Sequence, residues 1–362
     1  MEEHNNLSVL IAMSGGVDSS AAAYLMQAGG FRCQGATMRL LESDDGRNAA
    51  DAESVCRKLG IPFMTLDMAR EFREAVIEKF VRVYRAGGTP NPCVDCNRRM
   101  KFSRLMEAAD GAGLHYVATG HYARVGRDAG TGRQLLKKAL DAGKDQSYFL
   151  YTLTQSQLSR VQFPLGGMEK RQVRELAERL GFVNARRRDS QDICFIPGGD
   201  YGAFIESWTG EAFPAGDFLD REGRAVGRHR GAIRYTLGQR KGLGLSMGEP
   251  VYVCGKDMSA NTVTVGPESA LFVREILVED LNWIAIEGLD SPLRVGAKTR
   301  SRQAEQAAEI FPESGGRVRV VFDRPQRAVT PGQAAVFYSG DAVVGGGTIV
   351  EAGTEKENGH EL

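Results

Sequence analysis

Residues 10–26, LIAMSGGVDSSAAAYLM, constrain the fold of this chain more than any other stretch. The apolar run LIAM predicts a buried strand, SGG predicts a tight turn, and AAAYLM predicts a helix. A turn that leads from a strand into a helix presents free backbone N–H groups, and the helix dipole adds positive potential there. We therefore expect an anion site between residues 14 and 20, of the kind that binds phosphate groups.

This loop differs from two common phosphate-binding patterns. A Walker-type loop needs a lysine after its last glycine, and a dinucleotide fingerprint needs a third glycine; neither is present. The pattern SGGVDSS resembles instead the loop of the PP-loop ATP pyrophosphatases, which transfer AMP and release pyrophosphate. The resemblance implies that the hydroxyls of Ser14, Ser19 and Ser20 bind phosphate oxygens. It also implies that Asp18 holds Mg²⁺ or positions a phosphate group.

Strand-like and helical segments alternate over the first 205 residues. The predicted strands are residues 8–13, 33–38, 62–66 and 116–119. The predicted helices are residues 19–28, 51–59, 71–84, a segment from about 101, and 170–180. Strands that are separated by helices predict a parallel sheet covered on both faces, which is an open α/β domain.

Beyond residue 205 glycines become frequent and short alternating runs replace the helices. The runs at 251–254, 262–265, 317–322 and 334–338 predict short antiparallel strands. We therefore expect four segments: an α/β ATP-binding domain over 1–205, a small central β domain over 206–268, a C-terminal β-barrel-like domain over 269–355, and a flexible tail over 356–362.

The composition is that of a soluble globular protein, with 42% hydrophobic and 25% charged residues. The polar start MEEHNNL does not resemble a signal peptide, and no apolar run approaches the roughly 20 residues that span a bilayer. We expect a cytoplasmic protein with reduced cysteines and no membrane partner.

The net charge of the whole chain does not indicate a partner, because its 46 basic and 46 acidic residues cancel. Two local segments are strongly basic, residues 170–188 and 221–241. The first is equally typical of a solvated helix face. The second alternates arginines with glycines and Tyr235, which favours a grip on an RNA backbone.

The six cysteines fall into two groups. Three lie in apolar segments and are predicted to be small core residues: Cys33, Cys56 and Cys254. The other three lie in polar surroundings that also contain proline or glycine. Cys93 and Cys96 form a CxxC pair in TPNPCVDCN, which we predict to be a loop, and Cys194 lies in DSQDICFIPGGD.

Several chemistries fit the second group. A four-cysteine zinc site lacks its second CxxC, and a mixed site with some of the five histidines stays open, although none has tight ligand spacing. A thioredoxin-like pair should open a helix after a strand, whereas proline and asparagine surround this one. Cys93, Cys96 and Cys194 suffice to hold a 4Fe–4S cluster with one open iron. Alternatively, Cys194 carries sulfur as a persulfide and Cys96 resolves it by forming a disulfide.

Together these motifs resemble those of the tRNA-specific 2-thiouridylases of the MnmA type. The resemblance rests on MSGGVDSSAAAYLM, GGTPNPCVDCNRRMKF, ATGHYAR, KDQSYFL, DSQDICFIPGGDY, GAIRYTLGQRKGLG and TPGQAAVFY, which cover residues 8–340 in the family's order. It implies that ATP adenylates the C2 oxygen of the wobble uridine in tRNA, and that sulfur then displaces AMP to give 2-thiouridine.

The resemblance also implies roles for individual residues. Cys96 matches the nucleophile and Cys194 the persulfide carrier. The ATP-site positions are Ser14, Gly15, Gly16, Val17, Asp18, Ser19, Ser20, Met38 and Gly120. The tRNA-contacting positions are His121, Lys144, Asp145, Gln146, Arg302, Gln303 and Gln333. The implied cofactors are ATP and Mg²⁺, and the implied partners are a tRNA with a wobble uridine and a sulfur donor, either a cysteine desulfurase or a relay protein.

One position departs from the family pattern, because many members have aspartate where this chain has Cys93. If that aspartate is an acid/base group, this chain does without it or uses Asp95. If the position ligates iron, cysteine is the better ligand, and the substitution favours a cluster on Cys93, Cys96 and Cys194.

Two other classes of function remain open from the residues alone. An AMP-forming amide ligase or amidotransferase would use the same loop but has no use for the three cysteines. A noncatalytic RNA-binding protein with an iron–sulfur or zinc centre would have no use for the ATP loop.

Overall fold

The computed structural model describes residues 7–187 and 193–353. Residues 1–6, Arg188 of the first basic segment, residues 189–192 of the Cys194 motif and the predicted tail 356–362 lie outside the described residues. Within the described ranges, no helix is long and apolar enough to cross a membrane.

The N-terminal part is an α/β domain, as the alternation of strands and helices predicts. Its elements are β1 Ser8–Ala12, α1 Val17–Ala28, β2 Arg32–Arg39, α2 Arg47–Leu59, β3 Phe63–Asp67, α3 Ala69–Phe72, α4 Glu78–Arg85, α5 Pro92–Cys96, α6 Phe102–Gly111, β4 Tyr116–Ala118, β5 Arg124–Arg127, β6 Gln134–Lys137, α7 Ser147–Leu150, α8 Gln155–Leu158, β7 Val161–Gln162 and α9 Lys170–Arg179. The sheet has the order β3-β2-β1-β4-β7, and its four pairings are parallel.

Strand β1 lies in the middle of this sheet and is buried on both faces. Val9 and Ile11 pack into one hydrophobic core with α1 and α2, whereas Leu10 and Ala12 pack into a second core with α6. Alternate residues of a strand point to opposite faces, so an unbroken apolar run is what a doubly covered strand requires.

One prediction about the helices is confirmed with a difference, and another is wrong. Helical structure runs through 71–84 as predicted, but with a π-helical turn at Arg73–Ile77 between α3 and α4. The segment predicted as a loop around the CxxC pair contains helix α5, because Asn91 caps its start and Pro92 occupies the first turn. Proline at this position has a φ angle suited to a helix and lacks an N–H that would be unpaired anyway. A second π-helical turn, Asn97–Lys101, connects α5 to α6.

A small β domain follows helix α10, Tyr201–Thr209. Its strands are β8 Gly216–Leu219, β9 Ala225–His229, β10 Tyr252–Asp257 and β11 Thr262–Gly266, in the sheet order β10-β11-β8-β9. The expectation of antiparallel strands is wrong for one pair, since β11 and β8 run parallel.

The C-terminal part is a closed barrel, as expected. Its strands are β12 Phe272–Trp283, β13 Leu293–Lys298, β14 Gln306–Glu313, β15 Arg317–Arg327, β16 Ala334–Ser339 and β17 Ala342–Gly353. They are ordered β12-β15-β14-β13-β16-β17, and pairing of β12 with β17 closes the ring around a core that includes Val320, Phe322 and Phe337. The hairpin β5–β6 of the first domain extends this sheet through Lys137 and Ala342.

The turn after β7 provides a test of packing against the β5 strand. A Cβ atom at Gly166 would lie 1.8 Å from the carbonyl oxygen of Ala123, whereas one at Gly167 would meet nothing within 4 Å. We expect Gly166→Ala to lower the free energy of unfolding by about 1–3 kcal/mol, as other overpacked sites do. Gly167→Ala is the matched control. Equal denaturant midpoints for both variants would contradict this packing.

Candidate active site

The carboxyl ends of β1 and β4 meet at the centre of the sheet. From β1 the strand order continues to β2 on one side and to β4 on the other, and ligands bind at such a reversal point in open α/β sheets. A Cβ atom at Gly120 would lie 2.8 Å from the backbone of both Asp18 and Ser19, so the loop after β4 lies directly against the loop after β1.

The hydroxyl groups of the glycine loop hold its own shape. The hydroxyls of Ser19 and Ser20 each donate to the carbonyl of Gly16 at 3.0 Å, and the amide of Ser14 donates to the Ser19 hydroxyl at 3.2 Å. Gly15 has a φ of +71°, which favours glycine. Helix α1 therefore begins at Val17 with its first N–H groups at the loop, as phosphate binding requires.

Asp18 is bound by two side chains from distant parts of the sequence. The Lys170 ammonium lies 2.8 Å from both carboxylate oxygens, and the Tyr122 hydroxyl donates to Oδ1 at 2.8 Å. Lys170 is buried as the first residue of α9. In the sequence, Lys170 stands out only as the first residue of the basic segment 170–188, and no local motif indicates its position beside the loop.

The opposite side of the loop contacts the segment that leads toward Cys194. The Asn184 side chain donates to the Gly15 carbonyl at 2.8 Å and to the Ser20 hydroxyl at 2.9 Å. Arg187 binds Asn48 at 2.8 Å and Asp51 at 3.0 Å. The loop is thus fixed from two sides by residues more than 150 positions away in the sequence.

Met38, the expected adenine contact, lies in β2 beside β1. It is half-buried and packs against two hydrophobic cores, one shared with β1 and the other with Cys96. Its contact with adenine stays a prediction.

The three cysteines of the second group lie in one electrostatic environment. Cys93 and Cys194 are exposed to solvent and Cys96 is buried. Partial burial raises the pKa of all three thiols, and that of Cys194 to about 11; charge on Cys96 and Cys93 raises the Cys194 value further. All three are therefore thiols at neutral pH in the resting protein. Cys194 is fixed by its neighbour Phe195, whose ring packs edge-on against Phe72 and Phe80.

Lys101 is a positive charge shared by this group. Its ammonium opposes the effect of burial at Cys93, Cys96 and Cys194, lowering the pKa of each thiol. His121, at the end of β4, lies near the same charge: burial lowers the pKa of its imidazole well below the usual value, and Lys101 lowers it further. Lys101 therefore links the thiols to the edge of the sheet at which the ATP loop lies.

The imidazole of His121 is neutral at physiological pH and is fixed in orientation. Its Nδ1 shares a 2.7 Å hydrogen bond with the Thr119 hydroxyl, and its ring packs between Phe102 and Phe163. This arrangement places a rigid, uncharged ring at the predicted ligand edge.

Asp95 forms an ion pair with a lysine, and its charge also acts on the neighbouring Cys96, whose pKa it raises. It is buried, and its carboxylate accepts a 2.5 Å hydrogen bond from Lys79 of α4. We therefore find no support for Asp95 as a replacement acid/base group.

The described residues contain no group of three His, Cys, Asp or Glu side chains arranged to hold a metal ion. An iron–sulfur cluster on Cys93, Cys96 and Cys194 consequently has no support from this structure. Mg²⁺ does not need such a group, because it is commonly held by one or two carboxylates together with substrate phosphates and water. Asp18 fits that pattern if its contact with Lys170 is exchanged for the ion.

The predicted tRNA-contacting trio lies in the loop before α7. Asp145 accepts hydrogen bonds from the amides of Ala139 and Ser147, and Gln146 exchanges backbone and side-chain hydrogen bonds with Tyr122. These two side chains shape the loop that carries Tyr122. Lys144 is half-buried in the same loop.

The predicted tRNA positions of the barrel differ in exposure. Gln333 donates to the carbonyls of Thr89 and Pro90 at 2.9 and 3.1 Å, and so docks the barrel on the segment that enters α5. Gln303 is bound to Thr299 and Gln326, whereas Arg302 is exposed. A direct contact with tRNA stays a prediction for each.

The second basic segment has the strand-and-loop form that was expected. Arg224, Arg228 and Arg234 form ion pairs with nearby carboxylates. The remaining basic side chains of this segment are exposed: Arg221, Arg230, Arg240 and Lys241. They form a surface suited to a polyanion.

Comparisons with known proteins cover almost the whole chain. Family models match residues 7–198 (tRNA methyl transferase HUP domain), 202–267 (tRNA methyl transferase PRC-barrel domain) and 273–349 (Aminomethyltransferase beta-barrel domain). The tRNA-specific 2-thiouridylase MnmA of Heliobacterium modesticaldum is 48% identical over 95% of this chain and 92% of its own length. The chain belongs to the MnmA family.

Other relatives agree. The proteins of the same name from Acetivibrio thermocellus and Clostridioides difficile are 46% and 43% identical, over 94% and 95% of this chain, and each match covers 98% of the relative. A solved 4-thiouridine synthetase in complex with RNA and ATP is 17% identical over 49% of this chain and 42% of its own, with a TM-score of 0.37.

Lys170 should matter for binding of ATP. Removing its charge leaves Asp18 without its cation and lowers the positive potential at the phosphate site. We expect Lys170→Met to weaken ATP binding about 10- to 100-fold, the range of one charged hydrogen bond. Calorimetric titration with ATP measures this, and Arg171→Met, which removes an exposed charge next to it, is the control. Equal affinities for both variants would exclude Lys170 from the site.

The raised pKa of Cys194 predicts the pH dependence of its alkylation. Only the thiolate reacts, and with a pKa of about 11 its fraction grows as pH rises toward that value. We expect the rate with iodoacetamide to increase about tenfold per pH unit between pH 7 and 10. Peptide mass spectrometry at Cys194 measures the rate. A plateau near pH 8 would contradict the desolvated environment.

Proposed function

We propose that this protein thiolates C2 of the wobble uridine in tRNA, with consumption of ATP and release of AMP and pyrophosphate. Membership in the MnmA family supports the reaction. The observation that supports it in this structure is that the loop after β4, which carries His121, packs against the glycine loop, and that the charge of Lys101 acts to lower the pKa of both His121 and the three thiols.

The first step activates a poor leaving group. The C2 oxygen of uridine attacks the α-phosphorus of ATP, the bond to the β-phosphate oxygen breaks, and N3 of the uridine loses its proton. The start of α1 and the Lys170 ammonium hold the pyrophosphate as it leaves. Asp18 and the phosphates would hold Mg²⁺, which would further neutralise negative charge there.

The second step exchanges oxygen for sulfur. Cys194 carries a persulfide, whose terminal sulfur attacks C2 and displaces AMP together with the original oxygen. Cys96 then attacks Sγ of Cys194, the bond between Sγ and the transferred sulfur breaks, and 2-thiouridine leaves and regains a proton at N3. A disulfide between Cys96 and Cys194 remains.

Three features support these roles for the cysteines. Cys194 is exposed and accessible to a sulfur donor, either a cysteine desulfurase or a relay protein. Cys96 is buried and coupled electrostatically to Cys194. The raised pKa of each keeps both in the thiol form at neutral pH until sulfur is loaded, which limits side reactions of the resting enzyme.

The substrate is a tRNA whose wobble base leaves the stack to reach this edge. The exposed arginines of residues 221–241 and Arg302 are suited to its backbone. His121, Lys144, Asp145, Gln146, Gln303 and Gln333 line or support the same region in this proposal.

Two other activities are disfavoured. Methyl transfer, suggested by the descriptions of two family models, uses neither an ATP loop nor paired thiols. An AMP-forming amide ligase would use the loop and leave Cys93, Cys96 and Cys194 without a role.

The test is thiolation of a tRNA transcript by purified protein with ATP, Mg²⁺ and a persulfide donor, followed by mass analysis of nucleosides. We expect Cys194→Ser to reduce 2-thiouridine at least about 100-fold, the usual effect of removing a covalent catalyst, while tRNA binding persists. Pyrophosphate release should require tRNA.

The control is Cys254→Ser, which alters a half-buried thiol in β10, outside the site. Full thiolation by Cys194→Ser would refute the proposed role of this residue. Pyrophosphate release without tRNA would instead favour the amide ligase.

A further inference from the structure

Cys93 and Cys96 lie three residues apart on one turn of helix α5. In an α-helix this spacing places their Cα atoms about 5 Å apart, from a rise of about 1.5 Å per residue and a radius of about 2.3 Å. Disulfides span Cα separations of roughly 4.4–6.8 Å. The pair can therefore form a disulfide without unfolding the helix, although α5 follows α4 and not the strand that a thioredoxin-like pair has before its helix.

Cys194 completes a set of three sulfurs. A charge on either Cys93 or Cys96 affects Cys194, and Cys96 packs in the same hydrophobic cluster as Phe195. Cys93 and Cys194 face solvent, while Cys96 is buried. Cys96 is thus the natural common partner, able to bond to Cys194 across the site or to Cys93 along the helix.

We propose that Cys93 is the resolving thiol that releases Cys194 for its next sulfur. The proposal rests on the proposed function, which leaves a Cys96–Cys194 disulfide after each turnover. The Cys93 thiolate attacks Sγ of Cys96, a Cys93–Cys96 bond forms, the Cys96–Cys194 bond breaks, and Cys194 leaves as a thiolate that takes up a proton. An external dithiol of the thioredoxin class then reduces the Cys93–Cys96 disulfide.

Lys101 serves this exchange at every stage. Its charge acts to lower the pKa of each of the three thiols, and such a cation favours both an attacking and a departing thiolate. The exchange also moves the disulfide from a bond that joins two segments to one within helix α5, where Cys93 is exposed and an external reductant can reach it. Asp95 does not compete, since its carboxylate faces Lys79.

The test is a single turnover of the full chain without reductant. Protein is loaded with ³⁵S from glutathione persulfide, mixed with ATP and a tRNA transcript, quenched in acid with alkylating agent, and mapped for disulfides. We expect wild type to carry Cys93–Cys96 and to accept a second ³⁵S at Cys194. Cys93→Ser should retain Cys96–Cys194, refuse the second ³⁵S, and turn over about tenfold more slowly with thioredoxin as reductant.

The outcomes separate this inference from the proposed function. If wild type forms 2-thiouridine but carries only Cys96–Cys194, or carries no disulfide, the relay is wrong and the function stands. If Cys93→Ser keeps the steady-state rate of wild type, or makes no 2-thiouridine even in the first turnover, the relay is also wrong. If wild type forms no 2-thiouridine, the proposed function itself fails. Cys254→Ser is the control for loss of an unrelated thiol.

Discussion

The contact between Lys170 and Asp18 supports the whole ATP loop. It joins the first turn of α1 to the first turn of α9, and through Tyr122 it also joins the loop after β4. The loop contains no lysine. The cation beside it is Lys170, which lies 152 residues after Asp18 in the sequence. The anion site therefore exists only when the sheet and α9 are assembled. A buried ammonium also needs a negatively charged partner, and the half-buried Asp18 provides it.

The thiol site is governed by two opposing effects, and burial is the stronger. Lys101 lowers the pKa of each thiol, yet the net direction at Cys93, Cys96 and Cys194 is upward. A site of this kind is weakly reactive at rest, and in the proposed reaction it becomes reactive when Cys194 is converted to a persulfide, because a persulfide is a stronger acid and nucleophile than a thiol. In this proposal, the site reacts selectively because Cys194 is converted to a persulfide first, and not because a cysteine is permanently activated.

The sequence predicts those parts of the structure that depend on local pattern. The unbroken apolar run of β1 indicates a doubly buried strand, and the turn SGG places α1 at its end; both are found. The prediction of a loop around Cys93 is wrong, because Asn91 and Pro92 start a helix there although glycines and prolines precede it. Contacts between distant positions have no local signal: Gln333 reaches Pro90 across 243 residues, and Lys137 pairs with Ala342. Several residues that the family resemblance predicts to contact tRNA also form hydrogen bonds within the protein: Asp145, Gln146, Gln303 and Gln333.

The separation between the two chemical steps is bounded by the chain itself. Arg187 is held at the ATP loop by Asn48 and Asp51, and Cys194 follows seven residues later. An extended chain covers at most about 3.3–3.6 Å per residue, so Cys194 lies within about 25 Å of that anchor. Phe195, fixed among the rings of Phe72 and Phe80, then sets the thiol beside α5. The chain alone therefore limits the distance between the proposed sulfur carrier and the ATP loop to about 25 Å, and this is the span that the two steps of the proposed reaction have to bridge.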